Sequence, residues 1–227
     1  MRPRALFLSA ALAAIAWTPS LAQSNRQSTR LGIIAGANLA TLSGSFFPKA
    51  SKRTGFAGGL MAVLPVAPSF AIQPELMFTM KGANSDSGGF SATAKIYYVE
   101  VPVLARLEIP AYGRLKPFVY GGPSFAYRTS CTLAGHSAAG AFMVDPVDIT
   151  VACDSLTSRP YPPTPGVKYT RTDVNGIIGA GLAFNVGGNT VTGSVRYDVG
   201  FVKVVTFNDS KNRVSSFIGT VEWPLHN

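Results

Sequence analysis

The chain has 227 residues, of which 47% are hydrophobic and 14% are charged, and it carries a formal net charge of +9. This length is enough for one all-β domain or two small ones, and the positive charge suits either a nucleic acid or an anionic lipid surface. After the first 22 residues no apolar stretch approaches the roughly 18 residues that a transmembrane helix needs, so helical spans are excluded.

The chain begins with the pattern of a secretory signal peptide. Two arginines precede an apolar run, Ala5–Trp17, and the small residues Ser20 and Ala22 stand just before a cleavage site that follows Ala22. The run is shorter than a helix that crosses about 30 Å of hydrocarbon. We therefore expect residues 1–22 to be removed and residues 23–227 to form the mature domain. In an exported protein the basic charge favours a lipid or lipopolysaccharide surface and no nucleic acid.

Turn-like punctuation divides the mature domain into apolar segments. No segment combines a helical periodicity with helix caps, so we predict eight β-strands and no helix. In chain order the predicted strands are Arg30–Ala40, Gly55–Leu64, Phe70–Lys81, Lys95–Ile109, Lys116–Arg128, Asp173–Val186, Thr190–Lys203 and Arg213–Leu225.

The predicted connections alternate between long loops and tight turns along the chain. The long ones are 41–54, 82–94, 129–172 and 204–212, and the tight ones are 65–69, 110–115 and 187–189. Long outer loops and short periplasmic turns are typical of outer-membrane barrels, whereas a soluble sandwich has no reason to sort its loops in this way. The pattern predicts an all-β fold, a single antiparallel up-and-down transmembrane β-barrel of about eight strands.

Four of the predicted strands alternate between an apolar face and a polar face with charged residues near mid-strand. In the strand 70–81, for example, Gln73, Glu75 and Thr79 share the polar face. A soluble lipocalin-like barrel would turn that face to water, but a membrane barrel must turn it inward, because an Arg or Lys facing lipid at the midplane costs about 2–4 kcal/mol. Two aromatic girdles are expected, with Phe70, Phe184 and Trp223 on the periplasmic side and Phe78, Tyr97, Tyr127 and Phe201 on the outer side.

The two cysteines, Cys131 and Cys153, are predicted to form a disulfide in the oxidising envelope. The bond would close a loop of about 23 residues and add about 3 kcal/mol of stability in the chain-entropy model. It lies in the longest outer loop, 129–172, which also contains a hairpin-like apolar pair, 141–144 with 147–152. Loops of this length are usually functional or disordered, so we expect any distinctive activity to lie there.

Five charged residues on the predicted inward faces form the main candidate site, an ion-pair network inside the barrel: Glu75, Glu100, Arg106, Arg196 and Glu222. Arg196 and Glu222 lie on neighbouring strands and are expected to meet diagonally. Glu75 and Glu100 fall at similar depth, so an arginine must lie between them or one must stay protonated. A proton or ion path is one interpretation. A structural network is favoured, because an eight-stranded barrel is only wide enough for side chains to fill it.

Basic residues near the outer rim could bind lipopolysaccharide phosphates through charge-assisted hydrogen bonds, or could simply be solvated. They are Lys49, Lys52, Arg53, Lys81, Lys95, Arg128, Lys168, Arg171, Lys211 and Arg213. His136 beside Ser137 leaves open a hydrolase that acts on lipid A. Asp145, Asp148 and Asp154 match no calcium-loop spacing. We therefore predict no catalytic residue, no cofactor and no metal site.

Several short motifs resemble those of the PorT-like outer-membrane β-barrel domain family of Gram-negative bacteria. They follow one another from Leu31 to the C-terminus: Gly36-Ala37-Asn38, Gly55-Phe56-Ala57-Gly58-Gly59-Leu60, Pro74-Glu75-Leu76, Lys81-Gly82, Tyr98-Val99-Glu100-Val101-Pro102-Val103-Leu104, Tyr120-Gly121-Gly122-Pro123, Gly179-Ala180-Gly181-Leu182 and Arg196-Tyr197-Asp198-Val199-Gly200. The resemblance implies a barrel in the outer membrane and no particular reaction. One member belongs to a protein-secretion apparatus, a role that a shared fold does not transfer.

Together these patterns predict an integral outer-membrane barrel without enzymatic activity, with a structural or interaction role through its outer loops. The alternatives are a component of an envelope transport or protein-secretion apparatus, a narrow channel, and a lipid A-modifying enzyme. The expected partners are outer-membrane lipids, including lipopolysaccharide, and an envelope protein whose identity is open.

Overall fold

The computed structural model describes residues 28–43, 50–87, 90–111, 114–137, 147–157, 170–204 and 211–225. The predicted signal peptide lies outside these ranges. The strands are β1 (Arg30–Ser43), β2 (Ala50–Ser51), β3 (Arg53–Ala67), β4 (Phe70–Ser87), β5 (Phe90–Glu108), β6 (Leu115–Ser137), β7 (Val147–Ala152), β8 (Thr172–Val186), β9 (Asn189–Gly200) and β10 (Lys211–Pro224). A short 3₁₀ turn, Cys153–Thr157, follows β7.

The eight long strands close into an antiparallel barrel, which confirms the predicted fold. Each pairs with the next long strand along the chain, and β1 pairs with β10 to close the sheet. Closure leaves no long strand with an unpaired edge, as a sheet in hydrocarbon requires. The short strands lie outside the closed sheet, with β2 on β4 and β7 on β6. In the part of the chain described, no helix is long and apolar enough to cross a membrane.

The barrel is apolar on its outside and polar on its inside. Along β10, Asn212, Ser216 and Glu222 are buried, while Phe217 and Trp223 between them are exposed. Phe217 is 63% exposed although it is large and apolar. A continuous surface of this kind is stable in contact with lipid. The predicted alternation is therefore confirmed, and it extends to β1, where alanine and glycine had obscured it.

The tight connections lie at one end of the barrel, the turn end, together with the first residues of β1 and the last of β10. The turn between β8 and β9 consists of Gly187 and Gly188, whose φ angles are +56° and +87°. A two-residue hairpin of this type needs positive φ at both central residues, which glycine adopts without steric cost. The long connections lie at the opposite end, the loop end.

The loop end is more ordered than the sequence predicted. The segment 82–94 is not a loop, because β4 and β5 stay paired as far as Ser87↔Phe90. Likewise β6 continues to Ser137 and pairs with β7, and the predicted partner of that segment, 141–144, lies outside the described residues. These strand ends form a sheet beyond the barrel that we call the outer platform (50–51, 82–87, 90–95, 132–137 and 147–152). Apart from 147–152, which sequence analysis had marked as hairpin-like, these segments lack the alternation of the membrane-spanning part and were therefore predicted as loops.

An apolar cluster lies at the loop end of the interior, below the outer platform. It contains Leu42, Ile96, Cys131, Cys153 and Val204, all of them buried. The disulfide between Cys131 and Cys153 is part of this cluster. We call these five residues the apolar cap, because they close the interior toward the loop end.

Candidate functional site

The polar interior of the barrel is the candidate site, and its turn end contains a set of ion pairs that we call the turn-end network. Arg106 on β5 binds Glu222 on β10 at 2.8 Å and lies 3.4 Å from Glu108. Arg30 on β1 contacts the same two carboxylates, with 3.0 Å to Glu222. Two arginines thus face two glutamates, so the network is neutral, which is the condition for burying charges at tolerable cost.

Gln73 connects the turn-end network with the middle of the barrel. Its amide group donates to Glu75 at 2.7 Å and accepts from Arg106 at 3.2 Å. Glu75 accepts two further hydrogen bonds from Arg196, at 2.8 and 2.9 Å. The guanidinium group of Arg196 lies 5.3 Å from the ring centroid of Tyr120, a favourable cation–π arrangement.

These side chains leave little free space. A cavity of about 10 Å³ lies among Gln73, Glu75, Arg106, Arg196 and Glu222 together with their apolar neighbours. This volume is about the minimum that holds one water molecule. The middle of the interior is therefore filled by side chains, as expected for eight strands.

A separate set of polar groups, the loop-end layer, lies between the middle of the barrel and the apolar cap. Lys81 is 2.7 Å from Glu100, and its Nζ lies 5.3 Å from the ring centroid of Tyr98. Asn212 donates to Asp173 at 2.9 Å and to the hydroxyl of Tyr98 at 3.2 Å. All five of these residues are buried.

All five residues of the sequence-predicted network lie inside the barrel, and each is at most 5% exposed. The pairing of Arg196 with Glu222, however, is wrong. Arg196 is opposite Ser216 in register, and Glu222 lies six residues further along β10. At about 3.3 Å per residue this separates them by about 20 Å, so Glu222 binds Arg106 instead.

Glu75 and Glu100 do not share an arginine, because each has its own cation. Arg196 binds Glu75, and Lys81 binds Glu100. Placing Lys81 on the outer rim was therefore wrong: it continues the inward parity of Glu75 along β4 and is 1% exposed. Sequence analysis placed Gln73 on the polar face but left it out of the network, and it also left out Glu108, which shares the inward parity of Arg106 on β5. The role of Arg30 depends on the closure of β1 against β10.

Arg128 is also not available at the outer rim. It is 5% exposed and donates to Asp154 at 2.6 Å, and Asp154 accepts a second hydrogen bond from Arg171 at 3.1 Å. The hydrogen bond from Arg128 is the main reason that the pKa of Asp154 lies below its usual value. Because Asp154 follows Cys153, the disulfide to Cys131 holds this carboxylate beside β6.

The remaining basic residues of the predicted rim differ in exposure. Lys52, Lys95, Arg171 and Arg213 are exposed, whereas Arg53 and Lys211 are partly buried. Arg53 donates to the main-chain oxygen of Lys81, and Arg213 donates to the hydroxyl of Tyr197. Lys49 and Lys168 lie outside the described residues.

The outer platform contains one further pair of interest. Nδ1 of His136 on β6 lies 2.6 Å from the carboxylate of Asp148 on β7, and both side chains are largely exposed. Asp145 lies outside the described residues. Among the residues that are described, no group of three or more His, Cys, Asp or Glu is arranged to hold a metal ion.

The chain is similar to small barrels of bacterial outer membranes. A family model described as an outer membrane protein beta-barrel domain matches residues 21–205. Among solved structures, the neisserial surface protein NspA has 13% identity and a TM-score of 0.45, covering 86% of this chain and 97% of that chain. Ail of Yersinia pestis (12% identity, 88% and 100% covered, TM-score 0.40) and the outer membrane enzyme PagL (12%, 85% and 99%, 0.39) are also similar. No curated protein gives a significant match.

Proposed function

The chain belongs to the outer membrane protein β-barrel domain family and is an integral protein of the bacterial outer membrane, and on this premise we propose that it neither conducts ions nor catalyses a reaction. Its role is to present the outer platform as a rigid surface for interaction. The barrel anchors this surface in the membrane.

The outer platform is the observation that carries this proposal. A membrane strand needs about 9–11 residues to cross the hydrocarbon, whereas β4, β5 and β6 have 18, 19 and 23 residues. Their ends stay paired, β7 extends the sheet, and the disulfide Cys131–Cys153 ties β6 to the residue that follows β7. An ordered surface loses less entropy when it binds a partner than a flexible loop does.

The filled interior supports the absence of conduction. The turn-end network and the apolar cap lie at opposite ends of the interior, and the cavity between Gln73 and Glu222 has room for about one water molecule. An ion would have to displace paired charges to pass. We expect the purified barrel in a planar bilayer to show no stepwise conductance above that of a protein-free bilayer. Reproducible channel openings would contradict this part of the proposal.

The interaction role is tested by site-specific photo-cross-linking in intact cells. A photoreactive residue replaces Thr93 on β5 or Thr150 on β7 of the outer platform, and lipid-facing Val195 serves as the matched control. We expect saturable adducts from the two platform positions and none with protein from Val195. The adducts should disappear when Cys131 and Cys153 are both changed to Ser. Adducts of equal yield at all three positions, or none at the platform, would contradict the proposal.

Lipids of the outer membrane are the second expected partner. Lys95 and Arg213 are exposed near the loop ends of β5 and β10, where an outer-leaflet phosphate is within reach of their charged groups. We expect Lys95→Gln together with Arg213→Gln to reduce the thermal stabilisation that added lipopolysaccharide produces. A phosphate-free lipid is the control, since it should stabilise both proteins equally.

An enzyme remains the second candidate because of His136 and Asp148, whose close contact suits a general base held by a carboxylate. Its test is the mass of lipid A from cells that overproduce the protein or the His136→Ala variant. Our proposal expects identical lipid A in both. A loss or gain of an acyl chain that depends on His136 would replace the interaction role by hydrolysis or acyl transfer.

We also propose that the chain belongs to the PorT-like group, which is a narrower assignment than the outer membrane protein β-barrel domain family. It is supported by the order of the glycine-containing motifs, two of which meet where Tyr120 is opposite Gly179 in the pairing of β6 and β8. A role in a protein-secretion apparatus would require a stable complex with other envelope proteins. Co-purification of a defined complex from mild detergent tests this alternative.

A further inference from the structure

An elongated depression lies in the outer, lipid-facing surface of the barrel and is centred on β1, β10, β9 and β8. Its volume is about 760 Å³, and its lining is almost entirely apolar. Two neighbouring rows of outward residues line it, and the strand register places the members of each row side by side. The rows are Ala37, Phe217, Val195 and Ala180, and Leu39, Ser215, Tyr197 and Ile178. We call this depression the lipid-facing groove, and its volume is within the range of about 300–1,000 Å³ that ligand sites have.

Two aromatic side chains of the groove diverge and leave space between them. Cζ of Phe217 would lie 3.9 Å from a Cβ on Gly193, so the ring of Phe217 extends toward the turn end. The hydroxyl of Tyr197 accepts a hydrogen bond from Arg213 at 3.4 Å, and Arg213 lies on the loop-end side of Tyr197. The small side chain of Ser215, which is opposite Tyr197, lies between the two rings. The groove therefore follows from the side chains that this chain places on its outer face.

A positive charge lies at the loop-end edge of the groove. Arg213 is exposed, and it precedes Ser215 by two residues along β10. Its hydrogen-bond partner, the hydroxyl of Tyr197, is uncharged and does not neutralise it. The loop end faces the outer leaflet, where lipid A carries its phosphates, and a guanidinium group binds phosphate through charge-assisted hydrogen bonds. The charge therefore favours a lipid with a phosphate in its head group.

The shape of the groove suits an acyl chain better than the surface of a protein. It crosses six strands, from Thr54 on β3 to Val119 on β6, and neighbouring strands are about 4.8 Å apart, so it is about 24 Å long. Its two rows of side chains are only about 7 Å apart along the strands. An acyl chain that crosses one leaflet covers about 15 Å, half of the hydrocarbon core, and therefore fits within this length.

The environment determines what such a groove can contribute to binding. An acyl chain gains no hydrophobic free energy when it moves from other lipid tails to the barrel, so only closer packing favours it. A groove offers a chain more contacts than a flat lipid-facing surface does, and each contact contributes about 0.1–0.2 kcal/mol. Packing in the groove and the charge of Arg213 must therefore act together to retain one lipid.

We propose that the lipid-facing groove binds the lipid A part of lipopolysaccharide, with a phosphate on Arg213 and an acyl chain between Phe217 and Tyr197. Tyr197 is a positioning residue, because its hydroxyl holds the guanidinium group at the edge of the groove. This inference rests on the proposed partnership with outer-membrane lipids and assigns it a defined site. Lys95 on β5 is not part of this site, and the interaction role of the outer platform does not depend on it.

The experiment measures the thermal unfolding of the mature chain in phosphatidylcholine vesicles that contain an increasing mole fraction of lipopolysaccharide. The loss of heat-modifiable gel mobility reports unfolding. We expect the midpoint to rise and saturate, by about 4 °C at ten times the half-saturating mole fraction. Dephosphorylated lipopolysaccharide, and phosphatidylglycerol at the same phosphate content, should each produce a clearly smaller rise.

Two variants test the charge and the packing separately, each with a matched control. Arg213→Gln should raise the half-saturating mole fraction about tenfold, because a charge-assisted hydrogen bond is lost. Its control, Lys116→Gln, removes an exposed cation at the turn end. Ala37→Trp fills the groove and should raise the half-saturating mole fraction about threefold. Its control, Ala105→Trp, changes an exposed alanine of β5 outside the groove, and both controls should keep the wild-type value.

The outcomes separate the groove from the broader lipid partnership. A wild-type midpoint that does not respond to lipopolysaccharide would overturn both. A wild-type response that persists unchanged in Arg213→Gln or in Ala37→Trp would overturn the groove alone. An equal response to phosphatidylglycerol would make a phospholipid the occupant and contradict the assignment to lipid A. If Ala37→Trp does not fold, Arg213→Gln and the comparison of lipids still decide the question.

Discussion

The two halves of the barrel interior neutralise their buried charges in different ways. In the turn-end network Arg30 and Arg106 face Glu108 and Glu222, so charge is balanced within the chain. In the loop-end layer Lys81 is paired with Glu100, whereas the buried carboxylate of Asp173 is bound by the neutral amide of Asn212. Both halves arise from the same inward alternation, but only the first pairs each buried carboxylate with an arginine. A polar strand face in the sequence therefore does not reveal how its buried charges are neutralised.

The largest loss of stability is expected when one charge of the turn-end network is removed. Arg106→Met leaves Glu222 and Glu108 with Arg30 alone, and removing one partner of a buried pair costs about 3–5 kcal/mol. Urea unfolding in detergent measures the loss. The double variant Arg106→Met with Glu222→Gln should recover much of it. A double variant as unstable as the single one would show that packing of the arginine stem, and not charge, is responsible.

The second-largest effect is expected from removal of the disulfide, and it should be confined to the loop end. Changing Cys131 and Cys153 to Ser removes a constraint on a loop of about 23 residues, worth about 3 kcal/mol in the chain-entropy model. Because the disulfide ties the outer platform, hydrogen exchange should accelerate in β7 and in the end of β6. Amides of β10 beside the turn-end network should keep their protection. Equal acceleration in both regions would mean that the two ends unfold together.

The same chemical change, a carboxylate replaced by its amide, should change the free energy of unfolding in opposite directions in the two halves of the interior. Glu222→Gln should destabilise the barrel, because Arg106 and Arg30 lose a counter-charge. Asp173→Asn should stabilise it, because it removes a buried charge whose hydrogen-bond partner, the amide of Asn212, is neutral. The effect is on the order of 1 kcal/mol. Free energies of unfolding measured in parallel decide the matter, and the same sign for both variants would remove the contrast between the halves.

The smallest effect concerns the surface of the loop end and depends on pH. The hydrogen bond from Arg128 lowers the pKa of Asp154 in the folded protein, so the contribution of this contact is complete above the unfolded value near 3.9 and is lost as the pH falls through the folded value. Half-exposed pairs contribute up to about 1 kcal/mol. Proteolysis near the 3₁₀ turn should therefore become faster as the pH is lowered from about 6 to about 3. Asp154→Asn is the control, since its susceptibility should not change with pH over that range.

Much of this architecture could be predicted before any coordinates were known. All eight long strands, the inward face that carries Glu75 and Arg196, and the pairing of the two cysteines followed from periodicity, loop lengths and the oxidising compartment. The ends of β4, β5 and β6 could not be predicted, because their polar residues lack the alternation that a lipid boundary imposes. Lys81 was expected at the outer rim because the predicted strand ended at that residue, although its parity already placed it on the polar inward face.

The amino-acid sequence alone determined the class of fold and the face on which each side chain lies, because alternation reflects only whether a residue meets lipid or the interior. Tertiary structure decided which charges meet. Contacts between distant strands depend on register and on closure of the sheet, and these bring Arg106 to Glu222 and keep Arg196 away from it. It also brought Asp173 on β8 to Asn212 on β10. No spacing in the chain reveals that contact, because the two residues lie on strands separated by β9 and meet only through the register of the sheet.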